Sequence, residues 1–246
     1  MKKIKIEESV ANHIKNILIN NGISNEIILF AKLMDIDIIR LFHDKIYIEN
    51  KNIESNKEAI AKNLLGVFGN YIAGNYYKAL GCEVINEYPV LNNEGLTITK
   101  ADIAFKDCFG INLCEVKTTS QIIDNIRNYK DDNEKRYSDN VYFDLDKEII
   151  KYKQIGTKVI EQVGKLKTNS NRVTLIVFNG CYIDDIIKDK LEKMGIIIKY
   201  IAPNIHELEE YIDSITNNIV NDLKIKKYYD KDCKKNLQSF YFYKIL

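Results

Sequence analysis

Residues 101–120, ADIAFKDCFGINLCEVKTTS, read as two short strands joined by a tight connection. Ala101 to Lys106 forms one arm and Ile111 to Thr118 the other. Asp107, Cys108, Phe109 and Gly110 lie between them, and Gly110 is free to take the positive φ such a turn demands. A four-residue loop pairs Lys106 with Ile111, and that register sets Asp102 opposite Glu115. Side chains alternate along a strand, so Glu115 and Lys117 share one face while Cys114 and Val116 share the other. The hairpin therefore gathers Asp102, Glu115 and Lys117 into one cluster.

Such a cluster is unfavourable unless a cation joins it. Two carboxylates about 5 Å apart repel by about 3 kcal/mol at an effective dielectric near 20. That repulsion raises one of the two pKa values. A divalent metal removes the conflict, and Mg²⁺ binds through one or two carboxylates plus water or substrate oxygens. Lys117 then places a second cation beside it, suited to a phosphate oxygen or to an attacking water. The plain alternative is a solvated strand face with a cross-strand charge pair. The apolar flanks Ile103, Phe105, Leu113 and Val116 argue for a buried hairpin instead.

At Asp102 and at Glu115-Val116-Lys117 the chain resembles the PD-(D/E)XK nuclease superfamily, down to the threonine, Thr118, that often follows the lysine. The resemblance implies an α/β, restriction-endonuclease-like core of helix, three-strand meander, helix and strand. Elements in that order run from about Lys57 to Ile201, a little over half the chain. By the same resemblance Asp102, Glu115 and the Val116 carbonyl hold Mg²⁺ or Mn²⁺, and Lys117 assists the attacking water. Many relatives carry a glutamine near the start of the second core helix; Gln154 matches it, with Gln162 in reserve. Gln154, Lys158 and Gln162 form one stripe at i, i+4 and i+8. Many relatives also carry an acid in the first core helix, where this chain has the neutral Asn70. That departure leaves open one metal or two, and a site that no longer cuts.

The implied function is a metal-dependent endonuclease of nucleic acid, DNA before RNA. Thr118, Lys158, Gln162, Arg127 and Lys130 are the candidate substrate contacts. Two alternatives stay open: a catalytically inactive nucleic-acid-binding or assembly subunit, and a toxin-like RNase. A homodimer is compatible with each.

Around this core the chain divides into three parts. Residues 1–56 read as a small, mainly helical unit, with helices over Ile6–Ile19 and Ile27–Met34, Ser24 as a cap, a short strand at Ile46–Ile48 and a polar linker over Glu49–Asn56. Residues 57–202 carry the core. A long helix from Lys57 closes at Gly81, and its Gly66, Gly69 and Gly74 mark a close approach by a neighbour. A strand over Cys82–Val90 follows, with Pro89 suited to a sheet edge. Residues 121–153 read as an insertion holding fifteen charged residues and four tyrosines, a substrate clamp or a solvated excursion. RVTLIVF (172–178) and GIIIKYI (195–201) read as buried strands flanking a helix over Ile183–Met194. Residues 203–246 add a helix over His206–Leu223 and a tail with seven lysines against two aspartates, interleaved with aromatic residues.

Composition bounds the rest. A net charge of +1 supplies no global attraction to polyanions, so a nucleic-acid surface must be local. Five scattered cysteines without a C-x-x-C oppose a zinc site or disulfide framework and suit a reducing cytoplasm. Glu7 and Glu8 interrupt any signal-peptide core, and no run approaches the ~18 apolar residues of a membrane span. The absence of P-loop, G-x-G-x-x-G and G-x-S-x-G patterns opposes nucleotide-driven or serine-hydrolase chemistry.

Overall fold

The computed structural model describes residues 6–48, 53–92, 94–122, 156, 158–170 and 172–242, with 47–48, 53–55 and 225–242 described by backbone alone. It is mixed α/β. Contacts divide the chain into two compact units, Met1–Val67 with Glu209–Leu246, and Phe68–Leu208.

The first unit opens with helices α1 (Glu8–Asn20), α2 (Asn25–Leu33) and α3 (Ile38–His43). Ser24 Oγ accepts from the Ile27 N–H at 3.3 Å and starts α2; Asp37 Oδ1 accepts from the Arg40 N–H at 3.1 Å and starts α3. Ile14, Leu18, Ile23, Ile38 and Phe42 are fully enclosed. The strand expected at Ile46–Ile48 is instead a π-helical turn, Asp44–Ile48. A three-residue strand with no ladder partner leaves its backbone groups unsatisfied, whereas continued winding from α3 satisfies them. The expected linker over Glu49–Asn56 is likewise too long, because helix α4 (Ile53–Ala79) already includes Ile53–Asn56.

The second unit is built on a five-stranded sheet in the order β1 (Glu83–Leu91), β2 (Thr97–Asp107), β3 (Gly110–Lys117), β5 (Val173–Asn179), β7 (Ile197–Asn204). Short β4 (Gln121–Ile122) and β6 (Tyr182–Ile183) pair separately in parallel. Tight connections force β1, β2 and β3 antiparallel. The longer crossovers from β3 to β5 and from β5 to β7 allow parallel pairing. Those crossovers contain helix α5 (158–167) and helix α6 (Asp185–Lys193). Helix α7 (Ile205–Phe242) follows, and its backbone continues past the expected stop at Leu223.

Among the described residues the elements from α4 onward run α4, β1, β2, β3, β4, α5, β5. At the C-terminal end of α4, Gly81 (φ +80°) lets the Cys82 N–H reach Tyr77 O at 3.1 Å and the Gly81 N–H reach Lys78 O at 2.9 Å. Pro89 lies on β1, an edge strand, as its missing N–H requires. The hairpin register is the expected one, Lys106 facing Ile111, but the loop is shorter: Asp107 also pairs with Gly110 (φ +112°) and only Cys108 and Phe109 turn. Asp107 replaces a loop role with a strand-end role because Arg172 grips both its oxygens, at 2.6 and 2.7 Å.

One face of the sheet packs on α5 and α6. Val159, Val163 and Leu166, at helical spacing, join Leu113, Val173, Leu175, Val177, Ile187 and Leu191 in one core. On the opposite face, Tyr77 of α4 stacks on Phe105 with ring centroids 3.9 Å apart. Gly69 of α4 meets Thr118 and Phe178, and Gly74 meets Asn86 and Val84. A Cβ on Gly66 would meet nothing within 4 Å, so the close-approach reading fails there. β5 is buried along its length, as its apolar run requires, whereas β7 is not. Ile197 and Tyr200 are exposed because β7 is the last strand and has a single neighbour. The insertion also begins later than Gln121, since Gln121 and Ile122 are already strand β4.

Candidate active site

Strand alternation and register bring the expected cluster together. The β2–β3 ladder ends at Ile103 facing Cys114, and one further step sets Asp102 opposite Glu115. Asp102 Oδ2 accepts a 2.8 Å hydrogen bond from the Val116 N–H, so the carboxylate is fixed to the neighbouring backbone. Glu115 Oε1 accepts a 2.6 Å bond from Lys117 Nζ. The Glu115 side chain is 6% exposed and that of Lys117 20%, so this ion pair is largely withdrawn from water.

Burial, then the charge of Glu115, pushes the Asp102 carboxyl up to about 7; the Val116 N–H and the Lys117 ammonium pull the other way. Glu87 adds a smaller push. Glu87 belongs to β1, between Asn86 (facing Ile103) and Tyr88 (facing Ala101), which sets it across from Asp102. It takes a left-handed φ of +52° and lies 3.6 Å from Lys100. Sequence reasoning missed Glu87. Its only signal there is an acidic residue two positions before Pro89 in a strand read for its apolar residues.

Leu113, Glu115 and Lys117 point to the same side of β3, the side that α5 covers. Beyond the apolar packing of Val159 the two elements diverge into an open cleft of about 270 Å³. Val116, Lys117, Thr118, Thr119, Lys158, Val159 and Gln162 line it. Lys158 and Gln162 are one turn apart, so both reach this wall of the cleft, as their spacing predicts. Lys158 is exposed at the rim. Gln162 Oε1 is buried and has no hydrogen-bond partner among the described residues. Thr118 faces the cleft and Gly69 at once. Gln154, Arg127 and Lys130 lie outside the described residues, as does the insertion from residue 123 to 153. Asn70 of α4 is buried, 6% exposed.

The donor set suits a hard divalent cation. Two carboxylates each have one oxygen engaged, leaving Asp102 Oδ1 and Glu115 Oε2 among the described residues; Mg²⁺ and Mn²⁺ complete such a shell with water and substrate oxygens. Among the described residues no group of three or more His, Cys, Asp or Glu side chains is placed to hold a metal ion. No described helix is long and apolar enough to cross a membrane. In comparisons with known proteins, no family model, no curated protein and no solved structure matches the chain.

Proposed function

We propose that the chain is a Mg²⁺- or Mn²⁺-dependent endonuclease that hydrolyses phosphodiester bonds in nucleic acid, DNA before RNA, on a restriction-endonuclease-like core. The observation that carries this reading is the convergence of Asp102, Glu115 and Lys117 on one hairpin face, opening into a cleft walled by Lys158 and Gln162. The order of α4, β1–β3, α5 and β5 supports it. A divalent cation at the two carboxylates supplies Lewis acidity and a lowered pKa for bound water.

The residues of the chain then have separate tasks. Asp102 and Glu115 would hold the cation, with burial and the Glu115 charge raising the Asp102 pKa while it is absent. The Val116 N–H fixes the Asp102 carboxylate so that little rearrangement is needed. Lys117 lies beside Glu115, where its ammonium can meet charge that develops on the scissile phosphate. Lys158, at the rim, draws the polyanion in. Gln162 offers a buried acceptor to a water or a substrate donor. Thr118 ties the site to α4 through Gly69.

A paired cleavage and binding assay on duplex DNA, single-stranded DNA and RNA tests this. With Mg²⁺ or Mn²⁺ present and nucleic acid saturating, so that any loss of affinity does not enter, Lys117→Met should cut about 10²- to 10³-fold more slowly. Tight binding without cutting by the wild type, under either metal, replaces the enzyme with the non-cutting subunit. The buried amide at Asn70 favours that second reading. Cutting of RNA alone moves the assignment to the toxin-like RNase.

A further inference from the structure

We propose that Glu115 occupies the Lys117 ammonium until a divalent cation engages the Glu115 carboxylate, so that cation binding and polyanion binding are positively coupled through Lys117. This inference rests on the metal-site reading above and adds an order to it.

Three features of the site carry such a device. First, the Lys117–Glu115 bond is short, 2.6 Å, and joins two side chains largely hidden from water. A charge-assisted bond of that kind is among the strong ones, and breaking it alone would leave a carboxylate buried without a counter-charge. The metal-free chain therefore keeps Lys117 on Glu115. Second, Lys117 lines the cleft with Lys158, so an ammonium released from Glu115 is already placed to donate to a phosphate oxygen that enters there. A lysine stem turns through its own bonds, and no backbone need move. Third, a cation between Asp102 and Glu115 does both halves of the exchange. It compensates the Glu115 charge that Lys117 had balanced, and it repels the ammonium.

Among the described residues lining the cleft, Lys158 is an unengaged cation before loading; after loading, Lys117 joins it. Coupling of this sort is reciprocal: if the cation tightens polyanion binding, the polyanion tightens cation binding by the same factor. An enzyme so arranged meets substrate with its full positive charge only once the metal that cuts is in place.

The test uses the full chain and a short fluorescein-labelled single-stranded oligodeoxynucleotide, with affinity read by anisotropy in EDTA or in Ca²⁺, and probe integrity checked on a gel. Wild type should bind about five- to tenfold more tightly in Ca²⁺. Glu115→Gln should reach that affinity in EDTA, with a salt slope steeper by about 0.7, one further single-strand phosphate contact. The double variant Glu115→Gln/Lys117→Met should lose the gain, which separates release of Lys117 from the mere removal of a negative charge. Thermal unfolding of each variant confirms that all are folded. Three results overturn the proposal: a Ca²⁺ gain undiminished in Lys117→Met, a Glu115→Gln affinity in EDTA equal to wild type, or no measurable binding in either condition. Failure of the nuclease reading is separate. A wild type that never cuts in Mg²⁺ yet shows the coupling keeps the device and loses the enzyme, and one that cuts without coupling does the reverse.

Discussion

Thr118 Cγ2 occupies the space that a Cβ on Gly69 would fill, so α4 lies directly against the end of β3, one residue beyond Lys117. The glycine is there for contact, since its helical backbone needs no special φ. Helix interiors lose about 1 kcal/mol for a glycine relative to alanine, and the close approach accounts for it. Gly69→Ala should therefore destabilise by about 1–3 kcal/mol through overpacking rather than stabilise through helix propensity. Thr118→Ser in the same chain removes Cγ2 and should restore most of the loss. Urea unfolding of the two single variants and the double variant checks the coupling; additive effects would separate the two residues.

Asp102 carries the pH dependence of the site. Its folded pKa of about 7 is well above the ordinary carboxylate value, so the native state binds this proton more tightly than the unfolded chain. The associated stability is complete below about pH 4 and is lost as pH rises through about 7. Asp102→Asn keeps an acceptor for the Val116 N–H and removes the charge. It should raise the metal-free melting temperature at pH 8, by about 2–4 °C for each kcal/mol relieved, and much less at pH 5. Melting curves at both pH values decide it.

Metal should act in the opposite sense. Mn²⁺ at a hundredfold excess over its Kd should stabilise the chain by about 2.7 kcal/mol. The increment should vanish in Asp102→Ala and Glu115→Ala. Because Asp102 must be ionised to bind, affinity should rise as pH increases through about 7. Calorimetric titration at pH 6 and pH 8 measures this, and equal Mn²⁺ shifts in wild type and both variants would place the metal elsewhere.

At the far end of the hairpin, Arg172 clamps Asp107 through both oxygens and also reaches Gly110 O at 3.3 Å. Its guanidinium lies 5.8 Å from the Phe109 ring centroid. The hydrogen bonds from Arg172, chiefly, hold the Asp107 carboxyl down at about 2. Stability from a depressed carboxylate is present above its unfolded pKa, about 4, and is lost as pH falls towards 2. Arg172→Met should return the Asp107 pKa to the ordinary carboxylate range, visible in a carboxyl NMR titration. The stability difference between variant and wild type should close below about pH 2.

The hairpin, its register and the Asp102–Glu115–Lys117 face were legible in the sequence because they are local. A period of two and a short turn fix which side chains share a face, and no distant contact is needed. The same holds for Ser24 as a cap, for Gly81 as the end of α4, and for the buried run of β5, whose apolar residues on both faces permit only an interior strand. Other features depend on which elements become neighbours. Nothing in GIIIKYI announces that β7 takes the edge of the sheet and leaves Ile197 and Tyr200 in water. IYI at 46–48 has strand composition, but with no partner strand among the described residues it winds into a π turn. Glu87 enters the site only because β1 pairs with β2 and its backbone turns left-handed across from Asp102. The withdrawal of Lys117 onto Glu115, the raised pKa of Asp102 and the unmet Gln162 oxygen likewise follow from burial between β3 and α5. Sequence alone determines which groups a strand can present together; the dielectric, the counter-charge and the open volume around them come from packing of segments far apart in the chain.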